Sequence, residues 1–306
     1  MKKHKLAVLA GLVTTLVLTG AAALPAQAAK PEPISPLTYS ALGDSFAAGF
    51  GAGGVNGLGQ SAEAYPVVLA GGPNVNFLAS SWTSTGLGVT TATVAAYQIP
   101  LIPHTTKQVT LTVGGNDLGF VPKATACFMD PTVCAFNAAD RVKLRTLTKS
   151  LSSNIAAIHA AAPAATIYVT GYPLLFQADS GLCVAGATPT VPVVISEAKA
   201  DAMDADAVAL NSAIMSAIAG PTHRYAKYVD VTAAFTGHGL CGTPTSLDPL
   251  VGLPNPESYI NEVHVTVTLT ESGPVSGVSL ANGPLHPTAA GQEAYADAIS
   301  TKGFKN

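Results

Sequence analysis

The chain has 306 residues, of which 48% are hydrophobic and only 11% charged, with 15 basic against 18 acidic side chains and a formal net charge of −3. That balance excludes the basic surface nucleic-acid binding requires. The length allows one sizeable core or two small ones.

Lys2, Lys3 and Lys5 precede an apolar stretch from Leu6 to about Leu24, and Ala26-Gln27-Ala28 follows. This is the layout of a secretory signal with an A-x-A cleavage site. The expected organisation is a signal peptide over residues 1–28 and one domain over residues 29–306, with no internal repeat or long linker to split it. Loss of the three leading lysines takes the net charge to −6. No later stretch reaches the ~18 uninterrupted apolar residues of a membrane span. The expected location is extracellular, and the expected state is a monomer.

Short β-branched runs then alternate with longer helical patterns, the mark of an α/β domain with a mostly parallel sheet. Strands are predicted at Thr38 to Leu42, Val75 to Leu78, Val109 to Val113, Thr166 to Thr170 and Tyr228 to Val231. Leu147, Leu151, Ile155 and Ile158 recur at helical spacing, as do Met203, Ala207, Leu210, Ile214 and Ile218 before Gly220-Pro221; both stripes read as core faces. Late in the chain Val263, Val265, Val267 and Leu269 alternate with polar residues and turn at Glu271-Ser272-Gly273-Pro274. This predicts a β-hairpin appended to the sheet, with a return arm through Val278 and Leu280.

In an oxidising compartment four cysteines favour disulfides over metal ligation or thiol chemistry. Of the three connectivities, one pairs Cys127 with Cys134 around Asp130-Pro131 and leaves Cys183 with Cys241. Neither C-x-x-C spacing nor paired histidines suggest zinc, so no metal is expected.

Leu42-Gly43-Asp44-Ser45 stands where an apolar strand stops and glycine-rich chain begins, a good place for a nucleophilic serine, although Gly, Asp and Ser equally make an ordinary turn. A serine needs a base within reach. His4 leaves with the signal, His159 sits on a predicted helix, His104 and His223 lie in short loops, His264 belongs to a strand, and His238 adjoins Cys241. His286 is the best placed. Pro287 restricts its backbone to extended conformations, and a helical segment from about Thr288 to Ser300 follows. Gly114-Gly115-Asn116-Asp117 follows a strand directly, and its glycines permit a sharp turn that offers the Asn116 amide as a neutral donor.

These segments together resemble the SGNH (GDSL) hydrolases, and within them the secreted actinobacterial lipases and esterases. The likeness rests on Tyr39 to Ser45, Val109 to Phe120 and His286-Pro287-Thr288-Ala289-Ala290-Gly291, in the family's order, with smaller matches at Ala64-Tyr65-Pro66 and Phe235 to Cys241. It implies a flavodoxin-like three-layer α/β/α fold and a serine esterase or lipase acting through an acyl-enzyme without cofactor. Ser45 would be the nucleophile and His286 the base, with an oxyanion hole from the Ser45 N–H, a glycine N–H and Asn116. For the glycine the resemblance points to Gly88, in Gly88-Val89-Thr90-Thr91, with Gly86 a close rival. The implied partner is a small-molecule or lipid ester. A carbohydrate acetylesterase, a phospholipase or an acyltransferase would use the same residues, and a non-catalytic binding protein could share the fold.

Two departures from the family pattern stand out. The usual aspartate three positions before the histidine is Gly283 here, so the Gly283 carbonyl is expected to hold the imidazole, with Glu271 or Asp248 as the rival acid. A cysteine pair common in secreted relatives is replaced by Ala79-Ser80-Ser81. Asp44 and Asp117 read as hydrogen-bonding turn residues. Phe46, Phe50, Trp82, Leu118, Phe120 and Leu285 lie beside the motifs and are candidates for an apolar acyl pocket, or for core.

Overall fold

Five parallel strands form the central sheet: β1 (Tyr39–Gly43), β2 (Asn76–Phe77), β3 (Gln108–Thr112), β4 (Thr166–Thr170) and β7 (Ala226–Val229), in the order β2-β1-β3-β4-β7. The computed structural model describes residues 38–305 except 130, 179–181, 188–191, 220–222, 242–257, 262, 271–272 and 280–282, all within the compact unit Pro36–Asn306. The five strands predicted from β-branched runs are those observed, shifted by two residues at most. Residues facing both sides of β1, β3 and β4 are buried, as a parallel sheet covered by helices on each face requires.

The connections are α1 (Ser45–Ala48), α2 (Tyr65–Ala70) and α3 (Thr91–Thr93), then α4 (Gly115–Leu118) and α5 (Phe120–Met129). The two long helices are α6 (Ala138–Ala161) and α7 (Glu197–Ile218), and α8 (Ala289–Thr301) closes the chain. The stripe Leu147, Leu151, Ile155 and Ile158 is buried along α6, and Met203, Ala207, Leu210 and Ile214 along α7. Asn137 starts α6 with a capping box completed by Asp140, which satisfies backbone donors the helix itself leaves open.

The order 2-1-3-4-5 reverses direction between β1 and β3, and in open α/β sheets ligands bind beyond the strand ends at such a switch. Ser45 follows β1 and Gly114 to Asn116 follow β3, so both motifs stand at that point.

The late hairpin is present as β8 (Val263–Thr270) and β9 (Gly273–Ser279), yet it does not extend the central sheet. It belongs to a second sheet, ordered β6-β5-β8-β9, with β5 (Leu182–Ala187) and β6 (Pro192–Ser196). This corrects the sequence expectation: β8 finds its partner in β5, pairing in parallel at Gly186↔Val263 and Ala187↔His264. Both disulfides form, Cys127–Cys134 and Cys183–Cys241, and the second ties β5 to the chain after β7.

Candidate active site

Gly43 ends β1 at φ 139°, packed against the Thr112 carbonyl with no room for a Cβ. Only glycine adopts such a backbone readily. The Gln98 side chain holds Gly43 from both sides, accepting from its N–H at 2.8 Å and donating to its carbonyl at 2.9 Å. Asp44 then caps α1, its Oδ1 accepting the Phe46 N–H at 3.0 Å. Ser45 is thereby the first residue of a helical turn.

The Ser45 hydroxyl lies 2.8 Å from Nε2 of His286, across 241 residues of chain. The imidazole is buried between Phe46 and Phe50, ring centroids 5.0 and 5.2 Å away. Burial pushes its pKa down to about 4, a shift that backbone carbonyls at Pro284 and Gly283 partly oppose. The ring is therefore neutral near pH 7.

The carbonyl that receives the ring proton is Pro284, at 2.9 Å from Nδ1. The expectation of Gly283 is corrected by one residue, because the Gly283 oxygen accepts the backbone N–H of His286 at 3.1 Å, closing a turn over Pro284 and Leu285. Leu285 sits at φ 61°. A left-handed residue in the third position of a turn flips the preceding peptide, and that flip aims the Pro284 oxygen at the imidazole. Asp248 and Glu271, the rival acids, lie outside the described residues.

Asn261 clamps the same turn: its backbone N–H and its side-chain amide both donate to the His286 carbonyl at 2.9 Å, and Nδ2 also donates to Gly51 O at 2.9 Å. Sequence reading missed Asn261, since its partners are far away in the chain and it belongs to no motif.

Asn116 stands in the first turn of α4, its Nδ2 donating to Val89 O at 2.9 Å. Gly88 packs so closely that a Cβ there would meet Asn116 Oδ1 at 2.6 Å. Gly86 uses its N–H in a turn to Thr83 O at 2.9 Å. Asp117 receives the Thr91 N–H at 3.0 Å and its hydroxyl, tying α4 to the chain after Gly88. Asp44 and Asp117 are thus hydrogen-bonding residues, as the sequence suggested.

Tyr172, after β4, bridges the two strand ends: its hydroxyl donates to Asp44 Oδ2 and accepts the Gly115 N–H at 3.0 Å. Desolvation raises the Asp44 pKa to about 7, against the lowering effect of the Tyr172 and Phe46 hydrogen bonds. Asp44, Ser45, Asn116, Phe120 and Tyr172 line a shallow cleft, and a second, apolar recess shares Phe46, Phe120 and Tyr172 with it. Of the proposed apolar residues, Phe46 and Phe120 line the cleft and Leu118 and Leu285 are core. Phe50 and Trp82 stack edge to face at 5.3 Å beside His286.

A second serine–histidine contact, Ser152 Oγ to His223 Nε2 at 2.9 Å, joins α6 to the chain before β7, and His223 Nδ1 meets the Tyr225 hydroxyl at 3.1 Å. Neither residue lines the cleft. No cluster of metal-ligating side chains occurs among the described residues, nor any helix long and apolar enough to cross a membrane.

Residues 41–294 match the GDSL-like lipase/acylhydrolase family, and the chain belongs to it. It is a carboxylic ester hydrolase of that family. It is 34% identical to a lipase of Streptomyces rimosus over 262 residues, 82% of this chain and 91% of that one, and 30% identical to lipase 1 of Streptomyces coelicolor over 263 residues. Among solved structures it is similar to phospholipase A1 from Streptomyces albidoflavus NA297, with a TM-score of 0.62 and 29% identity over 86% of this chain and 98% of that one. It is also similar to the extracellular lipase of Streptomyces rimosus, with a TM-score of 0.61 and 26% identity over the same shares.

Proposed function

We propose that Ser45 is the nucleophile of this lipase or esterase and His286 its general base, working as a dyad whose histidine is oriented by the Pro284 carbonyl. The observation that carries this reading is the 2.8 Å contact between Ser45 Oγ and His286 Nε2. As Oγ attacks the ester carbonyl, its proton passes to Nε2 and the carbonyl electron pair moves onto oxygen. The Ser45 N–H, the Gly88 N–H and Asn116 Nδ2 receive that oxyanion, each well-placed donor worth ~3 kcal/mol. Collapse expels the alcohol, which takes the proton from the imidazolium. Water, deprotonated by His286, then releases the acid from Ser45.

A peptide oxygen at Nδ1 fixes the tautomer as a carboxylate would, but without a full charge it stabilises the imidazolium less. Likeness to phospholipase A1 favours phospholipid esters as a second substrate class at the same site. The leading lysines, the A-x-A site and two disulfides support export of a single domain beginning near Ala29.

Ser45→Ala and His286→Ala are each expected to abolish hydrolysis of a chromogenic acyl ester while circular dichroism stays native. Turnover retained by either variant sinks the dyad. Glu271→Gln and Asp248→Asn are expected to keep activity; loss as complete as in His286→Ala would return a carboxylate to the site.

A further inference from the structure

From Ser45 to Thr106 the chain carries one charged residue, Glu63, although 11% of the whole sequence is charged. Apolar side chains accumulate on the same stretch. Of eleven large apolar residues exposed among the described residues, six fall there, including Val55, Leu58 and Leu87 at 40%, 52% and 68% exposure. Exposed leucines scattered singly need no explanation, but Leu58 and Leu87 are neither scattered nor loosely held.

Leu58 rides the apex of a turn built around Asn56. Asn56 Oδ1 accepts the N–H groups of Leu58 at 2.9 Å and Gln60 at 3.1 Å, and the Asn56 carbonyl accepts from Gly59 at 2.9 Å. The Gln60 amide anchors the turn to Phe77 O and Ala79 O. This turn joins the loop bearing Leu87: Leu58 O accepts the Ser81 N–H at 2.9 Å, Trp82 Nε1 donates to Gly57 O at 3.0 Å, and Trp82 pairs with Gly88 in an antiparallel bridge. Leu87 O in turn accepts the Thr83 N–H at 2.7 Å. Trp82 packs on Phe50, and Phe50 on His286, so the two leucines crown a wall that reaches the imidazole.

We propose that this uncharged rim, led by Leu58 and Leu87, docks the protein on the surface of an uncharged or zwitterionic lipid aggregate and sets the mouth of the cleft against it. The proposal rests on the esterase reading of the site. Apolar side chains held rigidly in water lose their hydration on entering a lipid surface, and a rim without fixed charge has no ionic groups to desolvate there. The rest of the chain, acidic overall, favours no anionic membrane.

The probes are phosphatidylcholine vesicles in a sedimentation assay and soluble p-nitrophenyl acetate. Leu58→Asp and Leu87→Asp are expected to weaken vesicle binding about tenfold each and to slow hydrolysis of a tributyrin emulsion in step. Turnover of the soluble ester should stay within about twofold, since neither side chain lines the cleft. Binding of the unsubstituted protein should change little between about 0.05 and about 0.5 M NaCl, because no charge drives it. Leu58→Ser and Leu87→Ser, with native circular dichroism, serve if the aspartates unfold the loops. Absence of vesicle binding, binding that persists in the variants, or equal loss of soluble and emulsion turnover each overturns the proposal. So does a dimer in solution that Leu58→Asp dissociates without vesicle binding, which would make the rim a contact between copies. Vesicle binding by a protein inert on p-nitrophenyl acetate would instead refute the esterase reading and leave the docking surface standing.

Discussion

Leu285 holds the conformation on which the histidine depends. At φ 61° it occupies a region costly for a bulky side chain, and the burial of its side chain fixes it there. Leu285→Val, β-branched and less tolerant of this φ, is expected to release the Pro284 carbonyl from Nδ1 and lower kcat at least about tenfold with KM little changed. Leu285→Gly, free to keep the turn, should stay closer to the parent. Equal kcat in parent and Leu285→Val would break the link between this backbone and the imidazole. A glycine in that position would have announced the turn, whereas a leucine gives no warning, and so sequence reading stopped one carbonyl short at Gly283.

Two buried groups of the site, His286 and Asp44, also oppose each other in pH. His286 titrates at about 4 in the fold against an ordinary 6.5, so between those values the unfolded chain binds the extra proton and stability falls on acidification. Asp44 is raised from 3.8 to about 7, so over nearly the same window the folded form holds the proton and stability falls as pH rises. In the parent the two slopes largely cancel. Asp44→Asn removes one of them, and its Tm is expected to drop more steeply than the parent's between pH 7 and pH 4; parallel curves would refute the assignment. The acid limb of kcat/KM, which reports the free enzyme's base, should lie well below pH 6.5.

Among the elements, β1, β3, β4, α6 and α7 were legible because β-branched runs and 3.6-residue stripes name buried faces directly. The second sheet was not. The register of β5 against β6 shifts between Val184 and Gly186, which breaks the alternation a sequence pattern relies on, and β8 therefore shows no partner in the sequence except the central sheet. Cys183 in β5 and Cys241 close the longer loop of the two disulfides, with a separation of 58 residues against 7. On loop-closure entropy, removing Cys183–Cys241 costs about 4 kcal/mol and Cys127–Cys134 about 2.5 kcal/mol. Urea titrations of the paired Cys→Ser variants should rank them in that order, and the reverse ranking would show that native-state strain outweighs chain entropy here.

At the scale of the molecule, Ser45 and Asn116 were legible because both follow strands that flank the switch point, where glycine must let the chain turn out of the sheet. The parts that join these ends, Tyr172 between Asp44 and Gly115 and Asn261 between Gly51 and His286, answer to distances across the fold and leave no local mark. His286 falls between these cases, marked by Pro287 and the helix behind it but held by a turn that the sequence hides.

The stretch whose one charge is Glu63 has one more effect, on resistance to proteolysis. Exposed glycine-rich loops are favoured points of proteolytic nicking, and the loop from Gly53 to Gly57 is of that kind. Between Lys30, whose bond to Pro31 is a poor cleavage site, and Lys107 there is no lysine or arginine. Proteases that require a basic residue before the scissile bond therefore find no place to cut the segment that carries both the serine and its rim.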